Sequence, residues 1–295
     1  MTSGSKIQRW SSRLLGKRGS LALMEKIAQL PIFTRQRGLV GMVGDYQDRR
    51  KTLSAALAQV DRILLPSPFM RPFFAGHGLP EEKMKVIQEG IDTGWFSGLI
   101  ARIESDRLRI AYLGQVRPAK GVHLLIEAAQ GLRGNYRVRV YGNMRQDPAY
   151  AARLVDAAGK NSNIEFPGGY TRAQLEPILM DTDIVVLPSI SMEPFGIIAR
   201  EALFAGVPVV ASNTGGLVDV VQPGINGALC PPGDMTALKK ILQALVDDPR
   251  RLVNLRQPSG KIRGMAEEVD ELEQEYQAIL AGQKPEKHKH LEGCR

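Results

Sequence analysis

Residues 183–216 read DIVVLPSISMEPFGIIAREALFAGVPVVASNTGG, and no other stretch restricts the fold as much. An apolar run ends at Pro188-Ser189, and a short polar loop leads to Glu193-Pro194-Phe195-Gly196. A helix-like segment continues through Ala205. A second apolar run, Val207 to Ala211, ends in Thr214-Gly215-Gly216. Strand, helix and strand in that order predict two parallel strands joined by a crossover helix. Ligands of such sheets bind beyond the carboxyl ends of the strands. Both loops at that end carry polar or glycine residues, so the chemistry is expected there.

The rest of the chain extends this unit. From Arg107 onward, strands are expected over 108–113, 137–141, 163–166 and 227–230. They alternate with helices over 120–131, 150–158, 171–180 and 235–246, the third with Thr171 as its N-cap. Val122, Leu125, Ile126 and Ala129 form the apolar face of the first helix. This alternation predicts an α/β fold with a doubly wound parallel sheet. Upstream, the pattern predicts a helix near 48–57, a short strand over 62–65 entering Pro66-Ser67-Pro68, a helix over 69–76 and a strand over 85–87. Residues 92–106 read as a linker, 265–280 as one acidic amphipathic helix, and 284–295 as an unstructured tail. The 295 residues suffice for about two domains.

Charge is uneven along the chain. Between Met1 and Thr52 eleven Lys and Arg face three acidic residues, which accounts for the whole net charge of +8. With Trp10, Leu14, Leu15, Leu21 and Leu23 interleaved, this basic arm suits an anionic membrane surface, a partner or plain solvent. No nucleic-acid-binding motif is present, and nucleic acid is not expected as a partner. Cys230 and Cys294 form no metal or redox spacing and suit a reducing compartment. His288 and His290 belong to the tail. No apolar run of about 18 residues predicts a membrane span, and the first residues lack the apolar centre of a secretion signal.

The chemistry follows from Glu193 and Glu201. On a helix rising about 1.5 Å per residue they stand roughly 9–12 Å apart, with the free amides of the helix amino end, a natural anion site, between them. Gly196, Gly215 and Gly216 permit close backbone approach. Lys120 opens another helix and can reach the same crevice. Hydroxyl acceptors at both ends and phosphate donors between them fit a nucleotide-sugar: Glu193 for sugar hydroxyls, the amides for the diphosphate, Glu201 for ribose hydroxyls. Singly, each residue has a purely structural reading, such as Glu193 offsetting the helix dipole. Their joint placement at the ends of adjacent strands favours a site.

These residues also carry a family resemblance. Glu193-Pro194-Phe195-Gly196 with Glu201-Ala202, the run Gly206 to Ser212 and Gly215-Gly216 resemble glycosyltransferase family 4. Gly114 through Lys120-Gly121, Asp183 to Ser189 and Gly224-Ile225-Asn226-Gly227 support the resemblance, which covers roughly residues 45–281. It implies a GT-B type fold: a complete C-terminal Rossmann-like parallel sheet domain over 98–262 and a partial N-terminal, acceptor-side domain over 45–97. A basic arm over 1–44, a final helix over 263–281 that crosses back to the N-terminal domain, and a tail over 282–295 complete the expected organisation.

The resemblance further implies a retaining glycosyltransferase that uses no metal or other cofactor. It moves a hexose from a donor such as UDP-glucose or GDP-mannose to a glycan or lipid-linked acceptor in surface polysaccharide synthesis. Lys120 and Glu193 are the implied catalytic residues. Gly114, Gln115, Arg117, Gly142, Pro194, Phe195, Gly196, Ile197, Ile198, Glu201, Thr214, Gly215 and Gly216 are the implied donor-binding residues. The expected location is cytoplasmic, at the inner membrane face if the basic arm binds there. Three departures stand out. Gln115 replaces the usual arginine, Asp219 the usual glutamate, and most of the usual N-terminal acceptor domain has no counterpart before Asp45; neither His77 nor His123 replaces its histidine. Two other readings stay open: a truncated or partner-dependent nucleotide-sugar-binding protein, and a nucleotide-sugar epimerase.

Overall fold

The computed structural model of the chain describes residues 51–96, 105–255 and 262–282. The basic arm, the centre of the expected linker and the tail from residue 283 lie outside the described residues. The chain divides into two compact units, residues 1–61 and 62–295. In the first, a helix spans residues 51–59 (α1).

The second unit contains β1 (Ile63–Leu65), α2 (Met70–Ala75) and β2 (Met84–Val86), followed by the long alternation. That alternation runs β3 (Leu108–Leu113), α3 (Val122–Gln130), β4 (Tyr136–Tyr141), α4 (Pro148–Ala158), β5 (Ile164–Gly168), α5 (Arg172–Met180), β6 (Ile184–Leu187), α6 (Ile197–Phe204), β7 (Val209–Ser212), β8 (Gly227–Cys230) and α7 (Met235–Asp247). A short helix α8 (Arg251–Asn254) and the final helix α9 (Met265–Leu280) close the described chain. Six strands form one parallel sheet in the order β5-β4-β3-β6-β7-β8, as the alternation predicts, and β1 and β2 pair in parallel beside it.

Burial on both faces explains the apolar runs. In β3, Leu108, Ile110 and Tyr112 join one core cluster while Ala111 and Leu113 join the other. Successive strand residues point to opposite faces, so a strand covered on both sides is apolar along most of its length; the exception in β3, buried Arg109, pairs with Asp183 at 3.0 Å. The predicted face of α3 is buried as expected, with Val122, Leu125, Ile126 and Ala129 all inside. The helix begins two residues later than the pattern suggests. Pro118–Lys120 forms a 3-10 turn and Gly121 takes φ 67°, a left-handed conformation that breaks the helix and costs a non-glycine residue about 1–2 kcal/mol. Thr171 caps α5, where the Gln174 side chain accepts from the Thr171 amide at 2.9 Å.

Helix α9 ties the β1–β2 segment to the sheet domain. Ile91 N–H donates to Arg263 O at 3.0 Å and Met265 N–H to Ile91 O at 3.1 Å. Gly90 donates to the Glu268 carboxylate at 2.7 Å, and a Cβ on Gly90 would lie 2.2 Å from Gly264 O, so only glycine fits. Glu275, 5% exposed on the otherwise acidic helix, pairs with Arg62 and with Lys85. Burial pushes its carboxyl upward, but Lys85 and Arg62 outweigh this and hold it below the usual range. Ser67 Oγ, in the turn after β1, donates to the Asp219 carboxylate of the sheet domain. Among the described residues no helix is long and apolar enough to cross a membrane.

Candidate active site

Strand β3 has β4 on one side and β6 on the other, so the order of connections reverses between β3 and β6. A crevice opens at the carboxyl ends of strands at such a point. Here it is a cavity of about 340 Å³. Gly114 and Gln115 line it from the loop after β3, Lys120 from the 3-10 turn, and Ser189 and Glu193 from the loop after β6. Pro194 to Ile198 line it from the start of α6, and Glu89 from the loop after β2.

Close backbone packing brings Lys120 to Glu193. A Cβ on Gly121 would stand 1.9 Å from Pro188 O, so the glycine lets the two loops touch. Ala119 O accepts from Ile190 N–H at 2.9 Å and from Ser191 N–H at 3.1 Å, which locks the β6 loop against the 3-10 turn. Lys120 Nζ then donates to Glu193 Oε1 at 2.6 Å, and Ser189 Oγ donates to the same oxygen at 2.5 Å. Glu193 Oε2 has no protein partner among the described residues and is available to a ligand hydroxyl. The charge-assisted bonds fix the carboxylate before any ligand arrives.

Behind Glu193 stand the two glycines of the 214–216 turn. A Cβ on Gly215 would lie 2.2 Å from Glu193 O, and one on Gly216 2.7 Å from Pro194 O. Gly216 N–H donates to Glu193 O at 2.6 Å. These glycines support the Glu193 loop and do not line the cavity, where the sequence suggested close approach to a ligand. Gly142 behaves alike: its Cβ would meet Gly114 O at 2.3 Å, so it braces the β3 loop. Thr214 and Arg117, the latter exposed, also stand outside the cavity lining.

Helix α6 starts after Gly196, which takes φ 79°. The first amides of any helix lack intrahelical acceptors, and Ile197 and Ile198 at this end line the cavity. Arg200 stabilises the same loop from inside. Its guanidinium lies 3.6 Å from the Phe195 ring centroid and donates to Phe195 O. Burial lowers its pKa to about 10, against the pull of Asp219 and Glu89.

Glu201 has a different environment. It is 3% exposed and does not line the cavity, although Ile198 on the turn before it does. Its carboxylate pairs with Arg172 Nη1. Arg172 Nη2 donates to Asp92 O at 2.9 Å, and the guanidinium lies 5.2 Å from the Trp95 ring centroid. Burial raises the Glu201 pKa, and Arg172 opposes that rise. Burial, with Glu201 adding to it, pushes neighbouring Tyr170 up to about 12. The sequence places both glutamates at the ends of one ligand site; the structure opens one and covers the other.

Six cavity residues escape the sequence reading: Glu89, Tyr112, Leu113, Leu187, Ser189 and Leu217. Tyr112 Oη donates to Gln115 O at 2.6 Å and so shapes the β3 loop, while burial drives its pKa far upward. Ser189 closes the apolar run of β6 and carries a signal in hindsight. Glu89 comes from a segment 104 residues before Glu193, and nothing local marks it.

Comparison with known proteins bears on the family and the fold. The sequence profile of the family described as glycosyl transferases group 1 matches residues 100–261. Glycogen synthase of Mycobacterium tuberculosis is 34% identical over 180 residues, covering 59% of this chain and 42% of that protein. D-inositol 3-phosphate glycosyltransferase 1 of Catenulispora acidiphila is 27% identical over 253 residues, covering 78% of this chain and 60% of that protein. The chain thus spans about two fifths to three fifths of the length of these relatives. Among solved structures, HepE of Anabaena in complex with UDP and glucose superposes with a TM-score of 0.67 at 17% identity, covering 90% of this chain and 83% of that one. Sucrose-phosphate synthase of Thermosynechococcus elongatus gives 0.69 at 23% identity, covering 89% and 66%. At these identities the structural likeness speaks for the fold, which is of GT-B type.

Proposed function

The chain belongs to the group 1 glycosyl transferases, and from that membership we propose that it moves a hexosyl group from a nucleotide diphospho-sugar to a hydroxyl of a glycan or lipid-linked acceptor, with retention at the anomeric carbon. The observation that carries this reading is the fixed Glu193 carboxylate, held by Lys120 and Ser189 beside the open amino end of α6.

In the proposed reaction the α6 amides and Lys120 meet the charge that develops on the leaving diphosphate. Preorganised donors of this kind supply much of an enzyme's rate enhancement. Glu193 Oε2 accepts from a hydroxyl of the sugar and orients it. Glu201 takes the ribose hydroxyls once Arg172 gives way. The step takes its positive charge from the protein and uses no metal, so chelation with EDTA is expected to leave turnover unchanged. The basic residues 1–52 are assigned to an anionic membrane surface, where a lipid-linked acceptor resides.

A second reading has its own support. Strands β1 and β2 form a sheet of two short strands among the described residues, fewer than an independent sheet needs. It favours a donor-binding chain whose acceptor side is completed by further strands, with turnover only then. Calorimetric titration with UDP-glucose and GDP-mannose tests donor binding, and NMR of the product with an added acceptor tests transfer. Donor binding with an α-linked product from an α-linked donor supports the transferase. Binding without product supports the second reading, and a changed sugar in the absence of acceptor would indicate an epimerase. A folded chain that binds no nucleotide-sugar would overturn the proposal.

A further inference from the structure

Glu89 is the carboxylate that the proposed chemistry leaves unused. It lines the same cavity as Glu193 and Lys120, yet it comes from the loop after β2, a strand outside the six-stranded sheet. Its place is fixed by its neighbour: Gly90 packs on Gly264 so closely that a Cβ would clash, and its amide is held by Glu268. Glu89 itself makes no hydrogen bond among the described residues.

The charges around it do not cancel. Among the described lining residues the cavity holds two carboxylates, Glu89 and Glu193, and one ammonium, Lys120, which is already engaged by Glu193. Behind Glu89 stand Glu268, which adds negative charge, and Arg200, which is shared with Asp219 and pinned on Phe195. Burial pushes the Glu89 carboxyl upward, Glu268 pushes it further, and Arg200 only partly offsets them. The ionised side chain is therefore short of protein partners among the described residues, and a hydroxyl donor would supply one.

We propose that Glu89 is a specificity-determining residue that selects an uncharged, hydroxyl-bearing glycosyl group and rejects one carrying a carboxylate. The proposal rests on the nucleotide-sugar reading above. The diphosphate is assigned to the α6 amides and Lys120, and the sugar ring to the part of the cavity that Glu193 and Glu89 line. A neutral hexose offers hydroxyls to Glu89 and to Glu193 Oε2. A uronic acid sets a carboxylate against two others with no free cation among the described lining residues to receive it. Like charges brought together in a partly desolvated site repel and weaken binding. Gln115, which also lines the cavity, is uncharged and leaves that imbalance in place.

The test is a set of calorimetric titrations of the full chain with UDP, UDP-glucose, UDP-glucuronate, GDP-mannose and GDP-mannuronate, repeated with Glu89→Gln. The amide keeps shape and hydrogen bonding while removing the charge, and circular dichroism checks the fold. In the wild type the uronate is expected to bind at least about tenfold more weakly than the neutral sugar of the same nucleotide. Glu89→Gln is expected to narrow that gap to about threefold and to leave free UDP or GDP affinity unchanged. Equal binding of the neutral and acidic sugars, or a gap that survives Glu89→Gln, overturns the proposal while leaving the donor site intact. A folded chain that binds none of the five overturns the nucleotide-sugar reading and this proposal with it.

Discussion

Glu193 and Glu201, eight residues apart, meet opposite circumstances. Glu193 stands before α6 at the mouth of a cavity, held by short bonds to Lys120 and Ser189 on one oxygen and open on the other. Glu201 stands inside α6, 3% exposed, its carboxylate engaged by an arginine that also leans on Asp92 and Trp95. The contrast separates two roles that the shared spacing makes look alike. A carboxylate fixed by neighbours and still accessible is prepared for a ligand. A carboxylate buried under a protein cation has to exchange that partner before it meets one. Under the proposed function, the Glu193 end of the donor site is preorganised, and the Glu201 end would open only by substitution of Arg172.

The contrast can be broken experimentally, most sharply at Glu193. Replacing Glu193 by Ala is expected to lower transfer by about 10²–10³-fold, the scale seen when one preorganised group of an active site is removed. Thermal stability should hold within a few degrees. Affinity for UDP-glucose should fall while affinity for free UDP stays; equal losses for both would contradict its place at the sugar. Next comes Gly121→Ala. It forces a Cβ against Pro188 O at a residue with positive φ, so a loss of about 3 kcal/mol in urea unfolding is expected. Misplacement of Lys120 should also cost about tenfold or more in turnover.

The buried pole should respond in the reverse manner. Glu201→Ala is expected to destabilise the chain by about 1–3 kcal/mol, because Arg172 loses its buried partner. It should weaken UDP and UDP-glucose alike, about tenfold. Loss of sugar discrimination instead would mean that the two glutamates have exchanged roles. Arg172→Ala uncovers Glu201 and should change nucleotide affinity by only a fewfold.

The smallest effect is in pH. The Glu201 pKa is raised above its ordinary 4.5, first by burial. Its contribution to stability is therefore fully present below the unfolded value and is lost as pH rises through the folded value. Relative to Glu201→Gln, the wild type should lose a fraction of a kcal/mol as pH rises from about 4.5 toward neutrality. Urea midpoints at several pH values would reveal it, and an opposite slope would show that Arg172 dominates over burial.

Much of this architecture can be read along the chain. The apolar runs of β3, β6 and β7 are strands because both sheet faces are covered. Gly196 marks the start of α6 because the turn before it needs positive φ. Lys120, Gly114, Gln115, Glu193 and the residues through Ile198 gather in one cavity, as their positions at strand ends suggest. Gly215 and Gly216 suggest close approach from the sequence, but what approaches them is other backbone, and Gly142, named for donor binding, packs on Gly114 O. A glycine records that something must come near; it does not record what.

Residue pattern alone dictates the set of elements, their parallel alternation and the strand ends where a site has to lie. Those follow from periodicity and backbone preference, which act between near neighbours in the chain. Tertiary structure alone decided that Glu201 is covered, that Glu89 enters the cavity, and that Gly215 and Gly216 brace Glu193. Each of those outcomes depends on a partner from another part of the chain: Arg172 and Asp92 for Glu201, Gly264 and Glu268 for the Glu89 loop, and the 214–216 turn for Glu193. Burial and charge pairing arise only when distant segments meet, so local pattern carries no record of them.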